Sequence, residues 1–272
     1  MVEGFAMPAG VAVVTGGGSG IGRALCHGLA QAGARNIVVT DVDGAAAERV
    51  ASAINADRAK GQAHAMAIDV ADAASVACAV DMVETGVGPI ALWCSNAGIH
   101  VGQGLGNADD WRRSLDVNLL GHVNVARAVL PRMVGRQTGH LVITASAAGL
   151  LTDFRCAPYA ASKHAAVALA EWLSITHADD GVSVSCVCPE GVRTGMTRPD
   201  SIKAGASNAF LEPEDVAREI LDALATRRFL VLPHSRVAEY EQSRAVDRET
   251  WLERMRVLRR KLTQAAPSRV AS

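Results

Sequence analysis

The 272-residue chain has no excess of charge of either sign, with 27 Lys and Arg against 28 Asp and Glu. That balance removes the field that would draw in nucleic acid or an anionic membrane. No stretch reaches the ~18 uncharged apolar residues that a membrane span requires, and the opening MVEGFAMPAG lacks the basic start and apolar run of a secretion signal. No Cys-x-x-Cys occurs. Cys26, Cys78, Cys94, Cys156, Cys186 and Cys188 stand in apolar surroundings away from any His pair, which predicts buried reduced thiols rather than disulfides or a metal site. Linker-like, low-complexity and repetitive stretches are also missing, so a single domain over 1–272 is expected. These absences together predict a cytoplasmic protein whose partner is a small molecule, with no nucleic acid and no membrane.

With 49% apolar residues the chain has ample material for one core. Short β-branched runs at 11–15, 37–40, 63–68, 90–95, 141–145, 182–187 and 229–232 alternate with longer segments of helical period. Several are apolar at consecutive positions, as in strands covered by helices on both faces. The pattern predicts an α/β fold, a doubly wound parallel sheet of about seven strands, with ligands bound at the carboxyl ends of the strands.

Directly after the first run, Thr15-Gly16-Gly17-Gly18-Ser19-Gly20-Ile21-Gly22 leads into an apolar helix. Glycines there allow a sharp turn and close approach to a pyrophosphate, and the helix start supplies free N–H donors. Asp41 ends the second run, 19 residues past Gly22, where a carboxylate accepts hydrogen bonds from ribose hydroxyls. It would repel a 2′-phosphate, and the loop offers no Lys or Arg before Arg23, so NAD is expected rather than NADP.

The loop matches in full the Thr-Gly-x-x-x-Gly-x-Gly pattern of the short-chain dehydrogenase/reductase family, which the chain resembles over about 9–233. The resemblance implies a Rossmann-like fold. It also implies that Asp69 and Val70 contact the adenine, and that Asn96, Ala97 and Gly98 correspond to the family's Asn-Asn-Ala-Gly signature with Ser95 in place of the first Asn. Gly16, Gly18, Ser19, Gly20, Ile21 and Gly22 would hold the phosphates.

Tyr159 and Lys163 stand i, i+4 in a helical stretch and so share one face, one turn apart. A neighbouring cation favours the phenolate and brings a tyrosine of pKa ~10 towards working pH, as an acid/base requires. Ser146 ends the fifth run, 13 residues before Tyr159, at a strand edge where its hydroxyl can hold a substrate oxygen. The resemblance implies that Ser146, Tyr159 and Lys163 are catalytic, that Lys163 also binds the nicotinamide ribose, and that Asn118 supports them by holding a water beside Lys163.

Pro189-Glu190-Gly191-Val192-Arg193-Thr194 resembles the family's Pro-Gly segment. Pro189, Gly191, Val192 and Thr194 would then hold the nicotinamide carboxamide, with Glu190 replacing the usual glycine. The segment 195–211 stands where the family carries a mobile substrate lid. His100, Ala148, Leu151, Phe154, Cys156, Glu190 and Met196 are expected to line a mostly apolar substrate pocket. Beyond Pro233, Trp251, Met255, Leu258 and Leu262 at helical spacing among basic residues predict a C-terminal amphipathic helix within about 235–264. Apolar surface on the long helices expected at 108–134 and 158–177 points to a homo-oligomer, and the resemblance implies a dimer or tetramer. The expectation is an NAD-dependent oxidoreductase interconverting a secondary alcohol and a ketone. A catalytically weak NAD-binding regulator on the same fold is the alternative. An enoyl reductase is disfavoured, because related reductases space Tyr and Lys further apart.

Overall fold

The computed structural model describes residues 10–57, 61–197 and 210–265. Seven strands form one parallel sheet in the order β3-β2-β1-β4-β5-β6-β7, namely β1 (Val11–Thr15), β2 (Asn36–Asp41), β3 (Gln62–Ala67), β4 (Ile90–Ser95), β5 (Gly139–Thr144), β6 (Val182–Val187) and β7 (Leu230–Val231). Every expected strand is present, and the ends move by one or two residues. The last strand shrinks to Leu230–Val231, leaving Phe229 and Leu232 outside it.

Alternation along each strand divides the core into two layers. Val11, Val13, Trp93, Leu141 and Ile143 face the helices α3 (Ala73–Gly86), α5 (Gly121–Gly135) and α7 (Ala157–Thr176), while Ala12, Val14, Leu92 and Val142 face α1 (Gly20–Gln31), α2 (Gly44–Ala56) and α8 (Pro213–Thr226). The chain winds from β1 outward to β3, then crosses back to β4 and winds the other way. Strand order therefore reverses between β1 and β4, and the crevice at their carboxyl ends is where an open α/β sheet binds ligands.

Local caps set where several helices begin. Asp43 accepts from the Ala46 N–H to start α2, and Asp72 accepts from the Ala74 N–H to start α3. The helix expected over 108–134 is not continuous. Between α4 (Ala108–Leu115) and α5, residues Asp116–Leu120 wind as one π turn, with the Gly121 N–H donating to the Asp116 carbonyl. Such turns often sit at functional sites, and this one carries Asn118. The short helix α6 (Ala148–Leu151) follows β5.

The C-terminal extension is two helices, α9 (Arg236–Val246) and α10 (Arg248–Ala265), rather than one. The break falls at Asp247, whose extended backbone stops α9 and whose carboxylate accepts from the Thr250 N–H (3.0 Å) and hydroxyl (2.7 Å) to cap α10. Only half of the expected apolar stripe is covered. Trp251 is buried and Met255 packs on the core, whereas Leu258 and Leu262 are exposed. The expected lid lies largely outside the described residues, at 198–209. Five cysteines are buried free thiols as expected, but Cys78 is exposed on α3. No helix among the described residues is long and apolar enough to cross a membrane.

Candidate active site

At the carboxyl end of β1 the chain enters the glycine loop with Gly16 and Gly20 at φ +64 and +49, backbone that side chains rarely adopt. A Cβ on Gly22 would stand 2.1 Å from the Gly16 carbonyl oxygen, and one on Gly18 would stand 2.9 Å from Asp41 Oδ2. The loop thus folds against the first turn of α1 and leaves room for no side chain at either point. Ser19 is exposed at the N-cap of α1 and makes no side-chain cap bond. Asp41 accepts from the Gly18 N–H (3.0 Å) and, through its other oxygen, from the Asp43 N–H (3.0 Å). The carboxylate therefore stands at the rim of the loop.

Thr15 binds the two sides of the crevice together. Its hydroxyl oxygen accepts from the Asn96 and Ala97 N–H groups (3.0 and 3.1 Å), and Asn96 Nδ2 donates to the Thr15 carbonyl (3.1 Å). Asn96 is thus engaged in fastening β4 to β1. Asp69 is exposed and accepts from the Ala71 N–H. Val70 is buried, and its carbonyl accepts from Asn124 Nδ2.

From Gly98 the site continues to the polar cluster. A Cβ on Gly98 would stand 3.3 Å from both Asn118 Oδ1 and Lys163 Nζ. Asn118 is wholly buried. It accepts from the Ile99 N–H (2.8 Å) and donates to the Ile99 carbonyl (2.9 Å) and the Ser162 hydroxyl (3.1 Å), so the π turn pins the chain that follows β4. Lys163 is buried, donates to the Thr144 carbonyl (2.8 Å), and stands 6.0 Å from the centroid of the Tyr159 ring. Ser146 accepts from the Ala148 N–H (3.1 Å) and donates to the Pro189 carbonyl (3.4 Å).

Burial raises the Tyr159 phenol above its ordinary value, and its interaction with the Ser146 hydroxyl works the other way. In the free chain burial thus outweighs any lowering by Lys163, one of whose N–H groups donates to the Thr144 carbonyl. Burial pushes Lys163 itself down to about 8.

Across the crevice, Thr194 approaches the glycine loop, its Cγ2 3.0 Å from where a Cβ on Gly20 would lie. Pro189 and Val192 are buried, and Gly191 packs against Phe210. Glu190 is exposed, and its carboxylate accepts from Arg236 Nε (2.7 Å) at the start of α9. His234 holds the same segment, accepting from the Glu190 N–H at Nδ1 (3.2 Å) and so donating Nε2–H to the Gly191 carbonyl (3.1 Å). Nothing in the sequence signalled that the C-terminal extension fastens the Pro189–Gly191 corner.

The substrate-side residues separate. Ala148 and Phe154 are partly exposed and Met196 is exposed. Leu151 belongs to the core, and Cys156 is fully buried with its thiol donating to the Val101 carbonyl. His100 lies on Tyr159, with ring centroids 4.5 Å apart. Its Nε2 stands 3.7 Å from Asp153 Oδ2, and Asp153 in turn accepts from Arg155 Nε (2.9 Å). Sequence reading missed Asp153 and Arg155, which carry no motif. The residue before them, Thr152, sits at φ +75, an outlier for a β-branched side chain.

Ser95, the departure from the family signature, pairs through its hydroxyl with His122 Nδ1 (2.6 Å) in the interior. Burial drives His122 down to about 3 and His140 down to about 4. Both stay neutral in the folded chain at pH values where the unfolded chain protonates them, so stability present above pH ~6.5 is lost as pH falls from there towards 4. Thermal unfolding should show Tm declining steadily across that window. A flat profile from pH 6.5 to 4 would contradict these two environments.

Residues 10–204 match the family model described as short chain dehydrogenase. A 1-deoxy-11-beta-hydroxypentalenate dehydrogenase of Streptomyces exfoliatus is 39% identical over 82% of this chain and 82% of its own length. The meso-2,3-butanediol dehydrogenase of Serratia marcescens is 35% identical over 76% of this chain and 84% of its own. Among solved structures, a short chain dehydrogenase/reductase from Burkholderia phymatum in complex with NAD superposes with a TM-score of 0.81 at 32% identity, covering 90% of this chain and 96% of that one. The glycine crevice at the sheet switch point and these likenesses lead to one conclusion, that the chain belongs to the short-chain dehydrogenase family of oxidoreductases.

Proposed function

We propose that the protein is an NAD-dependent dehydrogenase that interconverts a secondary alcohol and a ketone, with Tyr159 as its acid/base. The observation that carries this reading is the unbroken path from the glycine loop through Asn96 and Gly98 to Lys163, Tyr159 and Ser146 at one sheet edge. The loop fits a dinucleotide, since its glycines leave a cradle at the start of α1 that a Cβ would fill. Gly16, Gly18, Ser19, Gly20, Ile21 and Gly22 would hold the phosphates, Asp41 the ribose hydroxyls, and Asp69 and Val70 the adenine. On the other side Asn96, Ala97, Gly98, Pro189, Gly191, Val192 and Thr194 would flank the nicotinamide, and Lys163 its ribose. When bound, NAD supplies the hydride acceptor or donor.

Alcohol oxidation removes a proton from oxygen and a hydride from carbon. Ser146 holds the oxygen by hydrogen bonding, and Tyr159, once its phenol has released its own proton to solvent, takes the alcohol proton on the phenolate oxygen. Asn118 keeps the loop after β4 in place beside Lys163. The two dehydrogenases to which the chain is similar are named for hydroxylated compounds, which supports an alcohol substrate. Trp172 and Ile175, exposed on α7 at 58% and 80%, support a homo-oligomer, dimer or tetramer.

The test is formation of NADH from a panel of secondary alcohols. NAD should serve in preference to NADP. Asp41→Asn should raise the NADP to NAD ratio of kcat/KM about tenfold, by removing the charge opposed to a 2′-phosphate. A native preference for NADP, or absence of NADH from every alcohol, would overturn the reading.

A further inference from the structure

We infer that His100, held over Tyr159 by Asp153, is a specificity-determining residue that accepts a hydrogen bond from a second hydroxyl of the substrate, which makes that substrate a neutral vicinal diol or the matching hydroxyketone. The inference rests on the dehydrogenase reading and adds the substrate class to it. Three separate segments build the arrangement. His100 comes from the loop after β4, Tyr159 from α7, and Asp153 from the connection between α6 and α7.

Burial alone would raise the Asp153 carboxyl, but the nearby His100 ring and the hydrogen bonds from Arg155 outweigh it and hold the group well below the usual carboxylate range. Asp153 is thus an anion, only 9% exposed at its side chain, and its negative charge facing His100 Nε2 at 3.7 Å favours the tautomer with N–H on that side. The other nitrogen, Nδ1, is left as an acceptor. Among the described residues no protein donor reaches it. The imidazole is partly exposed, at 23%, and its ring lies 4.5 Å from the phenol ring that takes the carbinol proton. An acceptor on a ring packed against the phenol suits a second hydroxyl close to the reacting carbon, as on the adjacent carbon of a vicinal diol.

Charge at this mouth points to a neutral ligand. Asp153 is paired with Arg155 and Glu190 with Arg236, so neither arginine stands as an uncompensated cation for a substrate carboxylate. The backbone adds a separate observation. Thr152 takes φ +75 and ψ 133 immediately before Asp153, a costly conformation of the kind found where a side chain must be placed for function.

The experiment compares kcat/KM for cyclohexanol, cyclohexane-1,2-diol and 2-hydroxycyclohexanecarboxylate, and repeats it with 2-butanol and 2,3-butanediol, in the wild type, His100→Phe and Asp153→Asn. The wild type should favour the diols about tenfold or more over the simple alcohols, as one added hydrogen bond in a partly dry site allows. His100→Phe keeps a ring against Tyr159 and removes the acceptor, so it should lower kcat/KM for the diols about tenfold more than for the simple alcohols. Asp153→Asn should lower the preference by a smaller factor. A diol preference that survives His100→Phe, or a stronger preference for the hydroxy acid, overturns the inference while leaving the dehydrogenase reading in place. Absence of NADH from every compound in the wild type overturns both.

Discussion

Tyr159→Phe is expected to lower kcat by about two to four orders of magnitude, the range that a positioned acid/base contributes, while NADH binds as in the wild type. The substitution removes one oxygen and keeps the ring against His100, whose centroid lies 4.5 Å away. Ground-state packing and the glycine loop are untouched, so the loss belongs to the proton-transfer step and appears in kcat rather than in cofactor affinity. Burial that raises the phenol in the free protein sharpens the expectation. A buried phenol gives up its proton reluctantly, so alcohol oxidation should quicken with rising pH and ketone reduction should not. Activity within a few-fold of wild type in Tyr159→Phe would mean that another group handles the proton. A parallel loss of NADH fluorescence enhancement would mean that the variant disturbs the cofactor site instead.

Gly22→Ala is expected to weaken NAD binding at least tenfold and to lower Tm by roughly 5–10 °C, from an overpacking cost at or above the upper end of ~1–3 kcal/mol. The added methyl would lie 2.1 Å from the Gly16 carbonyl oxygen and 2.7 Å from Asn96 Nδ2. Neither neighbour can yield easily. The first is backbone in the tight turn at φ +64, and the second donates to the Thr15 carbonyl and holds β4 to β1. Gly86→Ala provides the contrast. It sits at the end of α3 with nothing within 4 Å of its Cβ position, so the same chemical change should be neutral or slightly stabilising there. Equal effects at the two positions, by calorimetry and by NADH titration, would show that the close approach at Gly22 is not what the loop depends on.

Strand positions were legible because a strand buried on both faces reads as consecutive apolar residues, as in the wholly buried Val11–Thr15. Thr15 to Gly22 was legible because φ values of +64 and +49 and a 2.1 Å approach tolerate glycine alone, and that demand is written directly in residue type. The i, i+4 spacing put Tyr159 and Lys163 on one helix face. It could not show that the ammonium would turn to the Thr144 carbonyl, nor that burial would govern the phenol.

The π turn around Asn118 escaped prediction because its hydrogen bonds to Ile99 and Ser162 reach across 19 and 44 residues of chain. The two-helix tail was hidden for a different reason. No glycine or proline marks the break at Asp247, and only the capping bonds to Thr250 show where one helix stops. Local sequence thus determined the sheet, the glycine cradle and the shared helix face of Tyr159 and Lys163, since each rests on propensity, periodicity or a steric need within a few residues. Tertiary structure decided the Asp153–His100–Tyr159 stack, the Ser95–His122 pair and the clasp of His234 and Arg236 on the Pro189–Gly191 corner. Each joins segments distant in the chain through side-chain contacts, and no period or motif records which distant segments folding will bring within hydrogen-bond reach.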